Sequence, residues 1–156
     1  INVTYADLVE KYPNLAVGRT ISKAFGLAGV RIGYLIAGKI FLDKFASVSI
    51  MLSQIGILTA IKAMKNPGYI KKNIDLIQKE RERVSKEVKK IGIQVYPSST
   101  NFLLINTKIP DIGIKLLERE IFVLDLSDRW LPGFIRVSIG SKEENDVFLS
   151  GLKEIV

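Results

Sequence analysis

Lys23 stands in the run Arg19-Thr20-Ile21-Ser22-Lys23-Ala24-Phe25-Gly26-Leu27-Ala28-Gly29-Val30-Arg31-Ile32-Gly33-Tyr34, where an amine, hydroxyls and guanidinium groups are interleaved with glycines. A lysine attacks an aldehyde only when its ammonium form is disfavoured, by desolvation or by nearby positive charge. Lys23 follows an apolar run and precedes small side chains that let a flat ring approach the backbone closely. Thr20 and Ser22 offer hydroxyls, and Arg31, eight residues after Lys23, offers a forked and permanently charged clamp for a phosphate. Taken singly, these are a loop lysine, a surface arginine and turn glycines. Taken together, in register between two apolar runs, they describe a nucleophilic amine beside an anion cradle.

The flanking sequence supplies elements to hold that loop. Asn14 to Ile21 reads as a short strand and Arg31 to Ala37 as a second, so Lys23 lies between two strands. Val48 to Met64 has helical spacing at Met51, Ile55 and Leu58 and is ended by Asn66-Pro67-Gly68. Ile70, Ile74, Ile77, Val84, Val88 and Ile91 then follow a 4-3 spacing interrupted by Arg81, which predicts an amphipathic helix stopped by Gly92. Ile93 to Tyr96 and Asn101 to Asn106 read as strands joined by the turn Pro97-Ser98-Ser99-Thr100. A helix is expected from Pro110 and Asp111 to Glu120, with strands over Ile121 to Leu126 and Phe134 to Ile139. Ser141-Lys142-Glu143-Glu144 fits a capping box that opens the last helix. Such an alternation is an α/β or α+β pattern, with a subdomain boundary expected inside the long helix.

Composition narrows the chemistry. The chain of 156 residues, 47% hydrophobic and 25% charged, is globular in character. It has no cysteine and no histidine, which excludes a disulfide framework and a thiolate metal site and removes the commonest metal ligand and the usual general base. No metal is expected, and proton chemistry falls to Lys, Tyr, Asp, Glu or a cofactor. No apolar run approaches the roughly 18 residues of a spanning helix, and the first residues lack a targeting pattern, so a soluble, cytoplasmic protein without a membrane partner is expected. The net charge of +7 is concentrated in residues 62–90, which hold ten of the 23 basic residues and four of the 16 acidic ones. Aromatic residues do not interleave with those lysines as base stacking would require, so they read as a solvated helix face and no nucleic-acid partner is expected. The chain begins with Ile1 and is expected to be a fragment.

The Lys23 segment resembles the cofactor-lysine segment of fold-type I pyridoxal-phosphate-dependent aminotransferases, most of all the histidinol-phosphate aminotransferase branch. That resemblance implies an α/β chain: the end of the large cofactor-binding domain, with its mostly parallel sheet, over residues 1–70, and the small α+β C-terminal domain over 71–156. It implies pyridoxal 5′-phosphate held on Lys23 as a Schiff base, with Thr20, Ser22 and Arg31 at the phosphate, and Lys23 moving a proton between substrate and cofactor. Tyr96-Pro97-Ser98-Ser99-Thr100-Asn101-Phe102 resembles the family's turn before a small-domain strand. The run Phe134-Ile135-Arg136-Val137-Ser138-Ile139-Gly140-Ser141 resembles the strand whose arginine, here Arg136, binds the substrate α-carboxylate. The implied reaction is transamination between an amino donor and a 2-oxo acid, in a homodimer.

Departures from the family bear on substrate. Leu124 stands where members acting on histidinol phosphate tend to have an arginine, so a phosphate must be held by another residue such as Arg129, or the substrate differs. Lys44 to Ser49 lacks the family's usual Pro and Asn, and Glu120 replaces a turn glycine. The resemblance covers the C-terminal part of a family member only. The acid that pairs with the cofactor ring nitrogen and the aromatic residue that stacks on the ring precede the cofactor lysine in the family, so activity is expected to need sequence beyond this chain. The rival readings are a decarboxylase of phosphorylated amino acids, and a non-catalytic module that applies its basic helix to an acidic partner.

Overall fold

Two antiparallel strands frame the Lys23 loop, β1 (Ala16–Thr20) and β2 (Gly33–Ala37), in the register Thr20↔Gly33 to Ala16↔Ala37. They belong to a computed structural model that describes residues 4–48 and 51–156; Ile1, Asn2, Val3, Ser49 and Ile50 lie outside the described residues. Gly33 is required where the hairpin closes, because a Cβ there would stand 2.6 Å from the Arg19 carbonyl oxygen. Both strands are shorter than expected. Ile21 leaves the ladder to close the loop, with its amide on the Ile32 oxygen at 3.5 Å, and Arg31 has φ 58°, which no strand residue adopts.

After β2 come α1 (Lys39–Phe45), which the sequence reading lacked, and α2 (Gln54–Met64). Helix α2 begins later than the apolar run because Ser53 caps it, accepting from the Gly56 amide. Gly56 lets α2 lie against the far side of the Lys23 loop: a Cβ there would meet Ile32 Cδ1 at 3.0 Å and the Val30 oxygen at 3.3 Å. Among the described residues before α3, the buried apolar side chains are Val9, Ile21 and Ala60; Met51, Ile55 and Leu58 are 97%, 79% and 67% exposed.

Helix α3 (Pro67–Lys90) is the long amphipathic helix, and Gly92, at φ 81°, follows its end. The chain divides into two compact units, Ile1–Asn73 and Ile74–Val156, at a point within α3. The second unit packs α3, α4 (Ile112–Leu117) and α5 (Lys142–Ile155) with a four-stranded sheet in the order β3-β4-β6-β5, formed by β3 (Gln94–Val95), β4 (Phe102–Asn106), β5 (Leu124–Asp125) and β6 (Phe134–Ser138). Alternation sends Leu103, Ile105, Ile135 and Val137 into a core shared with Val84, Val88, Phe148, Leu149 and Leu152. The mixed helix-and-sheet class is as expected. Parallel pairing is not found among the described residues, where every strand pair is antiparallel, because the α-helical connection within the sheet, β4–α4–β5, joins strands that β6 separates.

Helix α4 and strand β5 are both shorter than their apolar runs, each for a local reason. The Glu120 amide bonds to the Leu117 oxygen and the Ile121 amide to the Leu116 oxygen, a helix closure with Glu120 at φ 60°. Ser127 then turns the chain by donating its amide to Asp125 Oδ1, so only Leu124 and Asp125 are left to pair. Position 120 therefore has the left-handed backbone that glycine accepts without a Cβ penalty. Glu120→Gly is expected to stabilise the protein by about 0.5–1 kcal/mol, read as a higher denaturant midpoint at unchanged slope.

Candidate functional site

The Lys23 loop is built around one buried side chain. Ile21 is fully buried; its amide reaches Ile32, and its oxygen accepts from the Leu27 amide at 3.3 Å. The Gly26 amide closes a turn onto the Lys23 oxygen at 2.9 Å, with Gly26 at φ 68°. The Ser22 amide donates to Thr20 Oγ1 at 3.1 Å, fixing the two hydroxyl residues in one turn. Arg31 adjoins Ile32 and so falls beside the same closure; its Nη1 donates to the Ala28 oxygen at 3.2 Å, leaving its other donors unused among the described residues. The closed loop thus carries Thr20, Ser22, Lys23 and Arg31 on one short segment. In chemistry this set fits an anion-bearing aldehyde, with hydroxyl and guanidinium donors for the anion and an amine for the carbonyl.

One expectation is not met by this unit. Lys23 is exposed, so residues of the unit do not supply the desolvation that the nucleophile argument calls for. Nor does Lys23 line the neighbouring cavity of about 640 Å³, whose walls include Phe25, Gly26, Leu27, Thr59, Lys62 and Tyr69.

Arg136 projects from β6 on the face of the sheet away from the core. Its cross-strand partners are Leu104 on β4 and Leu124 on β5, and its guanidinium carbon lies 5.0 Å from the centre of the Phe102 ring. No carboxylate pairs with it among the described residues, so the neighbouring acid that would have made it a structural arginine is not found. Arg129, the alternative phosphate partner, is exposed in the turn Ser127–Arg129.

A polar cluster that the sequence reading did not identify lies in the same unit. Glu80, only 8% exposed, accepts from Arg83 through both oxygens at 2.9 and 2.7 Å and from the Asn145 amide at 2.9 Å. Arg83 also meets Asp146 at 2.7 Å, and Asp146 meets Lys142 at 2.7 Å. The hydrogen-bonded Arg83 guanidinium holds the Glu80 carboxyl below the usual carboxylate range, against burial and with help from Asn145. Stability from this depression is fully present at neutral pH and is lost as pH falls through the depressed folded-state value. A signal was available: Glu80 falls on the apolar stripe, three residues after Ile77 and four before Val84. The lysines of α3 at 71, 72, 79, 86, 89 and 90 are exposed, in keeping with a solvated face.

The two mixed helix-and-sheet units belong to a class that sequence comparison defines. The model of the family "aminotransferase class I and II" matches residues 2–152, and the chain belongs to that family. A relative is the histidinol-phosphate aminotransferase of Thermoanaerobacter pseudethanolicus, 43% identical over 158 aligned residues that cover 98% of this chain and 45% of that one. Among solved structures, histidinol-phosphate aminotransferase from Clostridium acetobutylicum is 25% identical with a TM-score of 0.84, covering 97% of this chain and 48% of the other. The Sinorhizobium meliloti enzyme of the same name, solved in complex with pyridoxal-5′-phosphate, is 28% identical with a TM-score of 0.73 over 92% of this chain and 41% of its own. The chain therefore spans less than half the length of the relatives it matches. No helix among the described residues is long and apolar enough to cross a membrane.

Proposed function

We propose that the complete protein is a pyridoxal-phosphate-dependent aminotransferase that moves an amino group between an amino donor and a 2-oxo acid. The observation that carries this reading is the closed loop around Ile21, which presents Lys23 together with Thr20, Ser22 and Arg31. The cofactor, when bound, supplies a conjugated ring that accepts the electron pair left on the substrate carbon. Lys23 is its covalent anchor and, once displaced by the substrate amine, the base that takes a proton from that carbon and returns it at the next. Thr20 and Ser22 donate hydroxyl protons to the phosphate and Arg31 neutralises it. Arg136 binds the substrate carboxylate through two parallel donors.

In this reading residues 1–70 belong to the cofactor-binding domain and 71–156 form the small domain. The whole enzyme works as a homodimer of soluble, cytoplasmic protein, and the region outside this chain supplies the acid at the ring nitrogen and the desolvation of Lys23. The histidinol-phosphate aminotransferases among its relatives make histidinol phosphate the first donor to assay, with a 2-oxo acid as acceptor.

Borohydride reduction of the full-length protein followed by peptide mass spectrometry tests the reading. The expected result is one pyridoxyl adduct, on Lys23. An adduct elsewhere would remove Lys23 from its role, release of carbon dioxide without amine transfer would make the protein a decarboxylase, and no adduct at all would favour a non-catalytic module.

A further inference from the structure

Glu80 is a buried ionised group that the proposed chemistry leaves unused. Buried ion pairs add little net stability compared with apolar residues of the same shape, because desolvation offsets most of the attraction. What such a cluster supplies is fixed geometry, since each partner is directional and none can leave without orphaning another.

We propose that Glu80 and Asn145 are positioning residues for Arg136, a proposal that rests on reading Arg136 as the carboxylate clamp. Asn145, 3% exposed in the first turn of α5, is the central piece. Its Nδ2 donates to Glu80 Oε2 at 2.9 Å and to the Gly140 oxygen at 3.1 Å, while its Oδ1 accepts from the Gly140 amide at 3.1 Å. Gly140, four residues after Arg136, is thereby gripped at both of its backbone groups. One residue earlier, the Ile139 amide donates to the Asn101 oxygen at 2.9 Å. Just before the neighbouring strand, Arg81 Nη1 donates to the Thr100 oxygen at 2.8 Å, two residues ahead of Phe102, whose ring the Arg136 guanidinium overlies.

The end of β6 and the start of β4 are thus both fastened to a single turn of α3, residues 80–83. Arg83 completes the fastening by chelating Glu80 and reaching Asp146 of α5, the residue after Asn145. Those two strand ends meet at one end of the ladder, beside the Phe102↔Ser138 pair, which stands two rows from Leu104↔Arg136 and on the same face of the sheet. Paired, parallel hydrogen bonds to a carboxylate tolerate little error in the position of the guanidinium, so freeing Gly140 weakens carboxylate binding before it weakens the fold. The capping box does not substitute for Asn145, because it engages the Ser141 and Glu144 amides and leaves both Gly140 groups untouched.

The test uses the full-length holoenzyme with two amine donors, an α-amino acid and a primary amine that lacks a carboxylate. Asn145→Ala and Glu80→Gln are each expected to raise KM for the amino acid about tenfold, the cost of one weakened charge-assisted contact, with kcat changed less than about threefold and the simple amine unaffected. The double variant Glu80→Gln/Asn145→Ala is expected to lose no more than the larger of the two single losses, because both side chains act through the one grip on Gly140. Equal losses for both donors overturn the proposal, because a merely structural role would produce them; so does an unchanged KM. Should Asn145→Ala fail to fold, Glu80→Gln carries the same comparison. Arg136→Ala separates the two levels. No rise in amino-acid KM in that variant sinks the carboxylate reading and the proposal with it, whereas a rise there without one in the Asn145 and Glu80 variants sinks the positioning role alone.

Discussion

Lys23→Ala in the full-length protein is expected to abolish the borohydride-stable adduct and to slow transamination by at least about 10²–10⁴-fold, the range associated with removing a positioned proton-transfer group. Two functions fail at once, since the same nitrogen is covalent anchor and base. The fold should not notice. Lys23 is exposed, and its Nζ makes no ion pair or hydrogen bond among the described residues, so the thermal midpoint should shift by no more than a surface substitution does, within about 0.5 kcal/mol. Lys23→Arg is the sharper comparison. It keeps the positive charge beside the hydroxyls of Thr20 and Ser22 but cannot condense with a carbonyl or give up its proton near neutral pH. If Lys23→Arg retained activity, the role of position 23 would be electrostatic and the proposed reaction would lose its nucleophile. Absorbance in the visible range, adduct mass and turnover of the three proteins side by side decide the matter.

The loop was legible in the sequence because its information is local. Thr20, Ser22, Lys23, Gly26 and Arg31 lie within twelve residues, and the closure that joins them turns on Ile21, their near neighbour. The capping box at Ser141 was legible for the same reason: both of its hydrogen bonds fall within four residues. Element ends were not legible where a side chain or a left-handed residue overrode an apolar run. Ser53 delayed α2, Glu120 cut off α4, and Asp125 shortened β5 by bonding to the Ser127 amide. The spacing of Met51, Ile55 and Leu58 signalled an apolar face, and it is one, but none of the described residues buries it; periodicity reports a preference for burial and cannot say by what. The Glu80 cluster was legible only in part. The place of Glu80 on the apolar stripe signalled its burial, but its partner Asn145 is 65 residues away, and no local pattern encodes that meeting.

Arg136→Ala is the second large effect expected. A guanidinium that meets a carboxylate with charge-assisted hydrogen bonds contributes about 1.5–3 kcal/mol, so kcat/KM for an α-amino acid should fall about tenfold to a hundredfold, chiefly through KM. Stability should change little, for two reasons in the geometry. No acid pairs with Arg136 among the described residues, so no buried charge is orphaned, and the contact with the Phe102 ring is an exposed one worth about 0.5–1 kcal/mol. Arg136→Lys keeps the charge and loses the fork, which places it between the wild type and alanine. The two leucines in register with Arg136 sharpen the expectation. With Leu104 on one side and Leu124 on the other, neither flanking strand offers a second cation in that row to take over an anion that Arg136 releases. The loss should therefore track the anion itself: large for every donor or acceptor that carries a carboxylate, and absent for an amine that carries no anionic group. A loss spread evenly over both kinds of substrate would mean that Arg136 shapes the sheet and does not bind the substrate, and steady-state KM values for the matched pair distinguish the two.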